Sequence, residues 1–353
     1  MRSTDPNALR VQPHSDSPRD PSDGPGHIAA GDGLAGECLT AQSLIRLDYL
    51  SPPEALAPYV TTFFLFRCEE ERIADIQPAG VGILAVFMRG EGEMYFRDGR
   101  VDRSHRTNVM TPLAAAAPVL VRGPWHTFGA ALSPLGWAAL TGGLSAAEHG
   151  NRLVDAADLL GSGARELGDA IAEGYCSGAL TPEDCVALAS AQLATMLRPV
   201  PKAHVALIRT VADWLGGGLS PRVDDLAAKV LYSPRQLQRL VDKYFGLPPK
   251  QLARKYRALR AAAVLGAPNL TPEHAALVQD QFYDQSHMIR ELRLFAGRTP
   301  ARLGDADPSL LSALLDLRNF REITPQVAAM PREFDKPTAS TLSKRTGTPR
   351  LHR

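Results

Sequence analysis

From residue 40 to about 135 the apolar positions come in short runs. Residues 57–67 (APYVTTFFLFR) are aromatic and β-branched, 81–88 (VGILAVFM) are continuously apolar, and 91–98 (EGEMYFRD) alternate ahead of Asp98-Gly99. Such runs predict strands, and the Asp-Gly pair predicts a tight hairpin. Segments 117–122 and 126–132 predict two more strands. Several short strands between Gly and Pro turns predict a barrel or sandwich. From about 151 the apolar spacing becomes helical, over 153–160, 164–173 and 182–197.

Pro199 and Pro201 mark a linker. Beyond them the apolar spacing is helical throughout, broken at Gly216–Gly218, Ser233-Pro234, Gly246, Pro248-Pro249, Asn269 and Gly297. Short helices joined by tight turns predict a compact all-α domain over 202–304, following a mainly β domain with trailing helices over 40–198. Residues 1–38 are rich in Pro, Gly, Ser and Asp without apolar periodicity, which predicts a disordered leader. In 305–353, PSLLSALLDLR (308–318) has helical spacing, while 336–353 holds five basic residues and no acidic one. That end is expected to be a flexible basic tail.

Two helix-turn-helix candidates lie in the α region. In the first, Val223–Phe245, Asp224 and Asp225 favour a helix start through the helix dipole. After a turn at Leu231–Ser233, Ser233 can cap a second helix with Pro234 in its first position. Leu237, Leu240, Val241 and Phe245 form its apolar stripe, leaving Arg235, Gln236, Gln238, Arg239 and Lys243 on other faces. Arg pairs with guanine edges and Gln with adenine, whereas Lys243 at the far end suits phosphate. In the second candidate, Pro272–Ala296, Thr271 or Thr271-Pro272 starts a helix, Phe282 and Tyr283 form the turn, and Asp284 caps Gln285–Phe295. Ile289, Leu292 and Phe295 are its predicted core, and Gln285, Ser286, His287 and Arg290 its DNA-facing set. Between the candidates, 248–265 reads as a basic helix whose Arg254, Lys255, Arg257 and Arg260 suit phosphate.

The charge total hides this pattern: 39 basic against 38 acidic residues give +1. Residues 200–303 alone hold 16 basic and 8 acidic side chains, leaving −7 for the remainder. The cationic segment and both candidates coincide, and a cationic segment is the footprint of a nucleic-acid partner. The rest of the composition, at 44% hydrophobic and 22% charged, is that of a soluble globular protein. No apolar stretch reaches the ~20 residues of a membrane span, and the N-terminus lacks a signal-peptide core. Cys38, Cys68, Cys176 and Cys185 form no CxxC pair, which suits a reducing cytoplasm.

Residues 205–303 resemble the C-terminal DNA-binding domain of AraC/XylS-type transcriptional regulators. The resemblance is carried by LSPRVDDLAAKVLYSPRQLQRLVDKYFGLPPKQLARKYRALRAAAVL (219–265) and FYDQSHMIRELRLFAGRTPARL (282–303). It implies two helix-turn-helix units joined by a long helix, with recognition helices entering successive major grooves of double-stranded DNA. Carried over, Arg235, Gln236 and Arg239 face DNA from the first unit, and Gln285, Ser286, His287 and Arg290 from the second. Phe245, Gly246, Leu247, Phe295, Gly297 and Pro300 match structural positions. Where relatives have a Gly before the aromatic turn, this chain has Gln281. Gly there relieves a left-handed or crowded backbone, which predicts strain or a reshaped turn. The N-terminal half resembles, more loosely, the cupin-like sensory domain of some of these regulators, through SPPEALAPYV (51–60), WHTFGAALSPLGWAALTG (125–142) and NRLVDAADLLG (151–161).

The reading is a multidomain cytoplasmic protein, not an enzyme. A cupin-like barrel with trailing helices would precede an all-α domain with two helix-turn-helix units. It would regulate transcription by binding specific DNA, with a small-molecule effector and a homodimer as possible partners and no membrane. A metal site needs three or four converging ligands. His105 and His126 form no His-x-His pair, so no metal or cofactor is expected; His126 reads as a turn residue and His149 as a surface one. Trp125, Phe128 and Trp137 either line an apolar ligand pocket or fill the barrel core. Two alternatives stay open: a cupin-type metal enzyme with an accessory nucleic-acid module, and an interaction protein that keeps the fold without binding DNA.

Overall fold

The computed structural model describes residues 39–267 and 270–303. The leader over 1–38, the helical spacing at 308–318 and the basic end at 336–353 lie outside them, as does Cys38. Eight strands form one antiparallel sheet: β1 (Ile45–Leu50), β2 (Val60–Cys68), β3 (Arg72–Gln77), β4 (Ile83–Tyr95), β5 (Val101–Arg103), β6 (Thr107–Met110), β7 (Ala117–Leu132) and β8 (Leu153–Asp155). The apolar runs at 81–88 and 91–98 belong to one long strand, β4, and those at 117–122 and 126–132 to β7. The Asp98-Gly99 hairpin joins β4 to β5, with Tyr95 opposite Val101. Gly99 takes φ +83°, the left-handed conformation such a turn demands.

The cupin-like barrel expected from sequence is not formed, because the sheet stays open. Its order is β1-β2-β7-β4-β6-β8, so β1 and β8 are opposite edges rather than partners. The two long strands explain the geometry. The first half of β7 pairs with β3 through Arg72–Arg122, and the second half with β2 through Phe64–Gly129. Register shifts in β4 between Phe87 and Glu91 mark where the pairing of β4 with β7 changes. Strand periodicity is the same in an open and a closed sheet; only edge pairing differs.

Helices cover one face instead. After α1 (Pro134–Leu140) come α2 (Ala156–Leu160), α3 (Ser162–Ser177) and α4 (Pro182–Met196). Leu167 and Ile171 of α3 and Leu193 of α4 share a core with Phe63, Leu65, Leu84, Val86, Phe128 and Ala130 of the sheet. Each such side chain contributes about 1.5–3 kcal/mol on full burial. α4 starts on a reciprocal cap: Thr181 Oγ1 accepts from Asp184 N–H while the Asp184 carboxylate accepts from Thr181 N–H.

Seven helices follow: α5 (Lys202–Gly216), α6 (Val223–Ala227), α7 (Pro234–Phe245), α8 (Pro249–Leu265), α9 (Pro272–Gln279), α10 (Gln285–Ala296) and α11 (Pro300–Leu303). α8 is central, burying Leu252, Tyr256 and Leu259 against α7 and α10. This helical core takes in Ala79 and, from α1, Leu135 and Ala138, so the sheet and the helices share it. Main-chain bonds cross the same boundary: Ala79 N–H donates to Phe295 O (2.8 Å), Ala116 N–H to Leu294 O (2.8 Å) and Ala146 N–H to Lys243 O (2.7 Å). The buried carboxylate of Asp75 in β3 pairs with Arg298, just after α10.

Candidate nucleic-acid interface

α6–α7 and α9–α10 are built alike. α7 and α10 each have 12 residues, a side-chain N-cap and a glycine at the C-cap. Ser233 Oγ accepts from Gln236 N–H at the start of α7, and Asp284 Oδ1 from His287 N–H at the start of α10. Gly246 and Gly297 end the two helices at φ +79° and +75°. At Gly297 a side chain is also sterically excluded, since an added Cβ would lie 2.3 Å from Ile76 Cγ2 of β3.

On α7, Leu237, Leu240, Val241, Tyr244 and Phe245 are buried, and Arg235, Gln236, Gln238 and Arg239 are exposed. The partition follows the 3.6-residue period. Gln236 is partly engaged: its Oε1 accepts from Ser233 N–H (3.2 Å) and Oγ–H (3.0 Å). Lys243 is half-buried, its ammonium 5.6 Å from the Tyr244 ring centroid. A groove of ≈ 740 Å³ separates α7 from the segment after α1; Gln236, Arg239 and Lys243 line one side, Ser145 and His149 the other. Two groups beside it are perturbed by burial: the Asp242 carboxyl is held above the usual carboxylate range, and so is the Tyr244 phenol above its own. The Tyr244 hydroxyl bonds His204 Nδ1 at 2.7 Å.

On α10 the buried stripe is Met288, Glu291, Leu292, Phe295 and Ala296; Ile289, expected in the core, is only half-buried. Gln285, Ser286, Arg290 and Arg293 are exposed, and His287 is half-buried. The unexpected member is Glu291, 1% exposed. It pairs with Arg254 and Arg257 from α8 and with His287 one turn earlier. A glutamate at i+3 from Met288 and directly before Leu292 sits inside an apolar stripe. That spacing was the available signal, since a charge there must find partners.

Two of the four α8 cations read from sequence as phosphate contacts, Lys255 and Arg260, are buried. Lys255 is 2% exposed and donates to Gly80 O (3.1 Å) and Leu113 O (3.2 Å) of the sheet region. Arg260 is 3% exposed and donates to Gly218 O at 2.8 Å. Neither cation reaches the surface in this arrangement. Arg257 stacks on Phe282, 4.8 Å from the ring centroid, and Arg254 remains 39% exposed.

Gln281 shows none of the strain its place in the turn predicts. Among the described residues Asn151 is the non-glycine with positive φ. The Gln281 N–H donates to Val278 O (3.1 Å), and its carbonyl accepts from Arg257 (3.3 Å).

In the sheet, Trp125, Phe128 and Trp137 do not converge on one pocket. Trp125 and Phe128 are three residues apart on β7 and so point to opposite faces. Phe128 and Trp137 are buried in the core under α3 and α4, while Trp125 packs on Phe66 at 4.4 Å. His126 is a strand residue, not a turn residue; it is 5% exposed and held between Glu69 and the Tyr175 hydroxyl, each at 2.8 Å. Among the described residues no group of three or more His, Cys, Asp and Glu could hold a metal ion. No described helix is long and apolar enough to cross a membrane.

Residues 226–305 match the family model described as a helix-turn-helix domain. A search of curated proteins finds no match. Among solved structures, ToxT from Vibrio cholerae is similar at a TM-score of 0.42, with 8% identity over 73% of this chain and 96% of that chain. Wild-type V. cholerae ToxT with bound unsaturated fatty acid scores 0.40, with 7% identity over 74% and 95%. The AraC-like transcriptional activator CuxR scores 0.29, with 13% identity over 63% and 88%. These likenesses are remote. The chain carries a helix-turn-helix domain over 226–305.

Proposed function

We propose that this chain is a sequence-specific, double-stranded-DNA-binding transcriptional regulator of the AraC type, acting in the cytoplasm. Its sheet-bearing half, over 40–198, senses a small molecule or mediates homodimer formation, and 202–304 reads DNA. The carrying observation is the duplication. Two capped 12-residue helices, each ended by a left-handed glycine and preceded by a shorter helix, are joined by α8. The helix-turn-helix match over 226–305 supports it.

An α-helix of this size fits the major groove, with its N-terminal residues at the base edges. Arg235, Gln236 and Arg239 read from α7, with Lys243 on phosphate. The candidate reading set on α10 is Gln285, Ser286, His287 and Arg290, with Arg254 and Arg257 of α8 as the candidate phosphate contacts between the two helices. A regulator of this kind needs no bond-making chemistry; its free energy comes from counterion release and base contacts. Gln281 no longer motivates a non-binding role, because its backbone is ordinary.

The test is selection of bound sequences from a random duplex library by the full-length protein. The expected result is a motif with two read segments about one helical turn, ~10 bp, apart. Failure to enrich any sequence over the input overturns the proposal.

A further inference from the structure

Glu291 organises the only charged cluster among the described residues that ties α10 to α8 through several ion pairs, and its donor geometry divides the neighbouring cations into two kinds. The Arg257 guanidinium is engaged inside the protein on all three nitrogens. Nε donates to Glu291 Oε2 (3.2 Å), and Nη2 to Oε1 (2.8 Å) and Oε2 (2.7 Å). Nη1 donates to Ser220 Oγ and Gln281 O, both at 3.3 Å. The two Nη2 contacts go to one carboxylate and share one N–H, so four of the five N–H donors of the guanidinium are held inside the protein, on a side chain only 13% exposed.

His287 is turned inward in the same way. Its Nε2 lies 3.0 Å from Glu291 Oε1. The carboxylate can only accept, so Nε2 carries the proton. Nδ1 is buried without a hydrogen-bond partner. The ring is also fixed edge-on to Phe282, with centroids 6.0 Å apart. Neither nitrogen is presented to a base edge.

Arg254 is the opposite case. It touches Glu291 through Nε alone, at 2.6 Å, and its side chain is 39% exposed. Holding a guanidinium by Nε fixes its plane and directs the Nη groups away from the anchor, the fork that suits a phosphate.

We infer that Glu291 is a positioning residue for the DNA interface: it presents Arg254 as a phosphate clamp while withdrawing Arg257 and His287 from contact with DNA. The base-reading set of α10 is then Gln285, Ser286 and Arg290. This inference rests on the DNA-binding reading above and narrows its contact set.

The experiment measures affinity of the full-length protein for its selected duplex across a salt series, together with base preference in the segment read by α10. Each phosphate contact contributes about 0.9 to the slope of log K against log salt. Arg254→Gln should lower the slope by about that amount, whereas Arg257→Gln should leave it unchanged. His287→Gln should leave base preference unchanged, while Arg290→Gln relaxes it. Glu291→Gln should lower the slope as Arg254→Gln does, and the double variant should lower it no further. A carboxylate that merely neutralised its neighbours would, on removal, raise the slope instead. Should Glu291→Gln fail to fold, Arg254→Lys keeps the charge but loses Nε, and the slope should fall all the same. A full unit lost in Arg257→Gln, an altered base preference in His287→Gln, or an unchanged slope in Arg254→Lys overturns the inference and leaves DNA binding standing. A wild-type protein without salt-dependent preference for any duplex overturns the DNA-binding reading itself, and this inference with it.

Discussion

Replacing Arg298 by Met leaves the Asp75 carboxylate buried at the boundary between β3 and the end of α10 without its guanidinium partner. Asp75 is 1% exposed and Arg298 6% exposed, so water cannot readily take over the lost contact. Removing one member of a buried pair costs about 3–5 kcal/mol, because the remaining charge loses its ion partner; the Asp75 carboxylate still accepts from Ile76 N–H (2.6 Å), which favours the lower end. For a chain of this size each kcal/mol moves the melting temperature by roughly 1.5–2 °C, so a cost of 3 kcal/mol gives about 4–6 °C. The pair ties the sheet to the helices, beside the main-chain bonds from Ala79 to Phe295 and Ala116 to Leu294. Replacing both members by apolar residues, Asp75→Leu with Arg298→Met, should recover most of the loss, since two buried ions are then exchanged for packing. Thermal unfolding of the wild type, both single variants and the double variant gives the cycle directly. A loss under about 1 kcal/mol in Arg298→Met, or a double-variant loss equal to the sum of the singles, would refute the reasoning.

Three further outcomes are expected. Leu292→Ala, at a fully buried position between α10 and α8, should destabilise by about 2–5 kcal/mol in denaturant titration. Asp242→Asn should stabilise the protein at pH 7 and not at pH 3. Burial raises the folded-state pKa of this carboxyl, so the folded form binds more protons and stability falls as pH climbs from the ordinary value near 3.9 through the raised one. Unfolding curves at the two pH values check the sign, and an equal gain at both would show that the charge is irrelevant. Arg239→Ala and Arg290→Ala, both exposed, should leave the unfolding free energy within about 0.5 kcal/mol of wild type. Each should weaken binding to the selected duplex by about 1–3 kcal/mol in a mobility-shift titration.

The helical half was legible because its signals are local. Ser233-Pro234 and Asp284 cap the helices they were expected to cap, and the spacing of Leu237, Leu240, Val241 and Phe245 marks the buried face of α7. The sheet was legible as strands but not as an architecture. Whether β1 meets β8 is decided by long-range pairing, and a strand's alternation is the same either way. β1 itself, IRLDYL, alternates over Ile45–Asp48 but has no fully buried residue, as an edge strand allows. Lys255 and Arg260 of α8 are buried, not surface cations, for a related reason. Arg254, Lys255, Arg257 and Arg260 look equivalent in sequence, yet their partners are Glu291, Gly80, Leu113 and Gly218, contributed by distant segments. Gln281 was read as a point of strain from a family pattern, whereas its φ is ordinary here.

DNase footprinting of the full-length protein on its selected duplex tests the central claim most directly. Two protected segments on one face of the helix are predicted, centred about one turn apart, one lost in Arg239→Ala and the other in Arg290→Ala. A single protected segment insensitive to either substitution, or no protection at all, would contradict it.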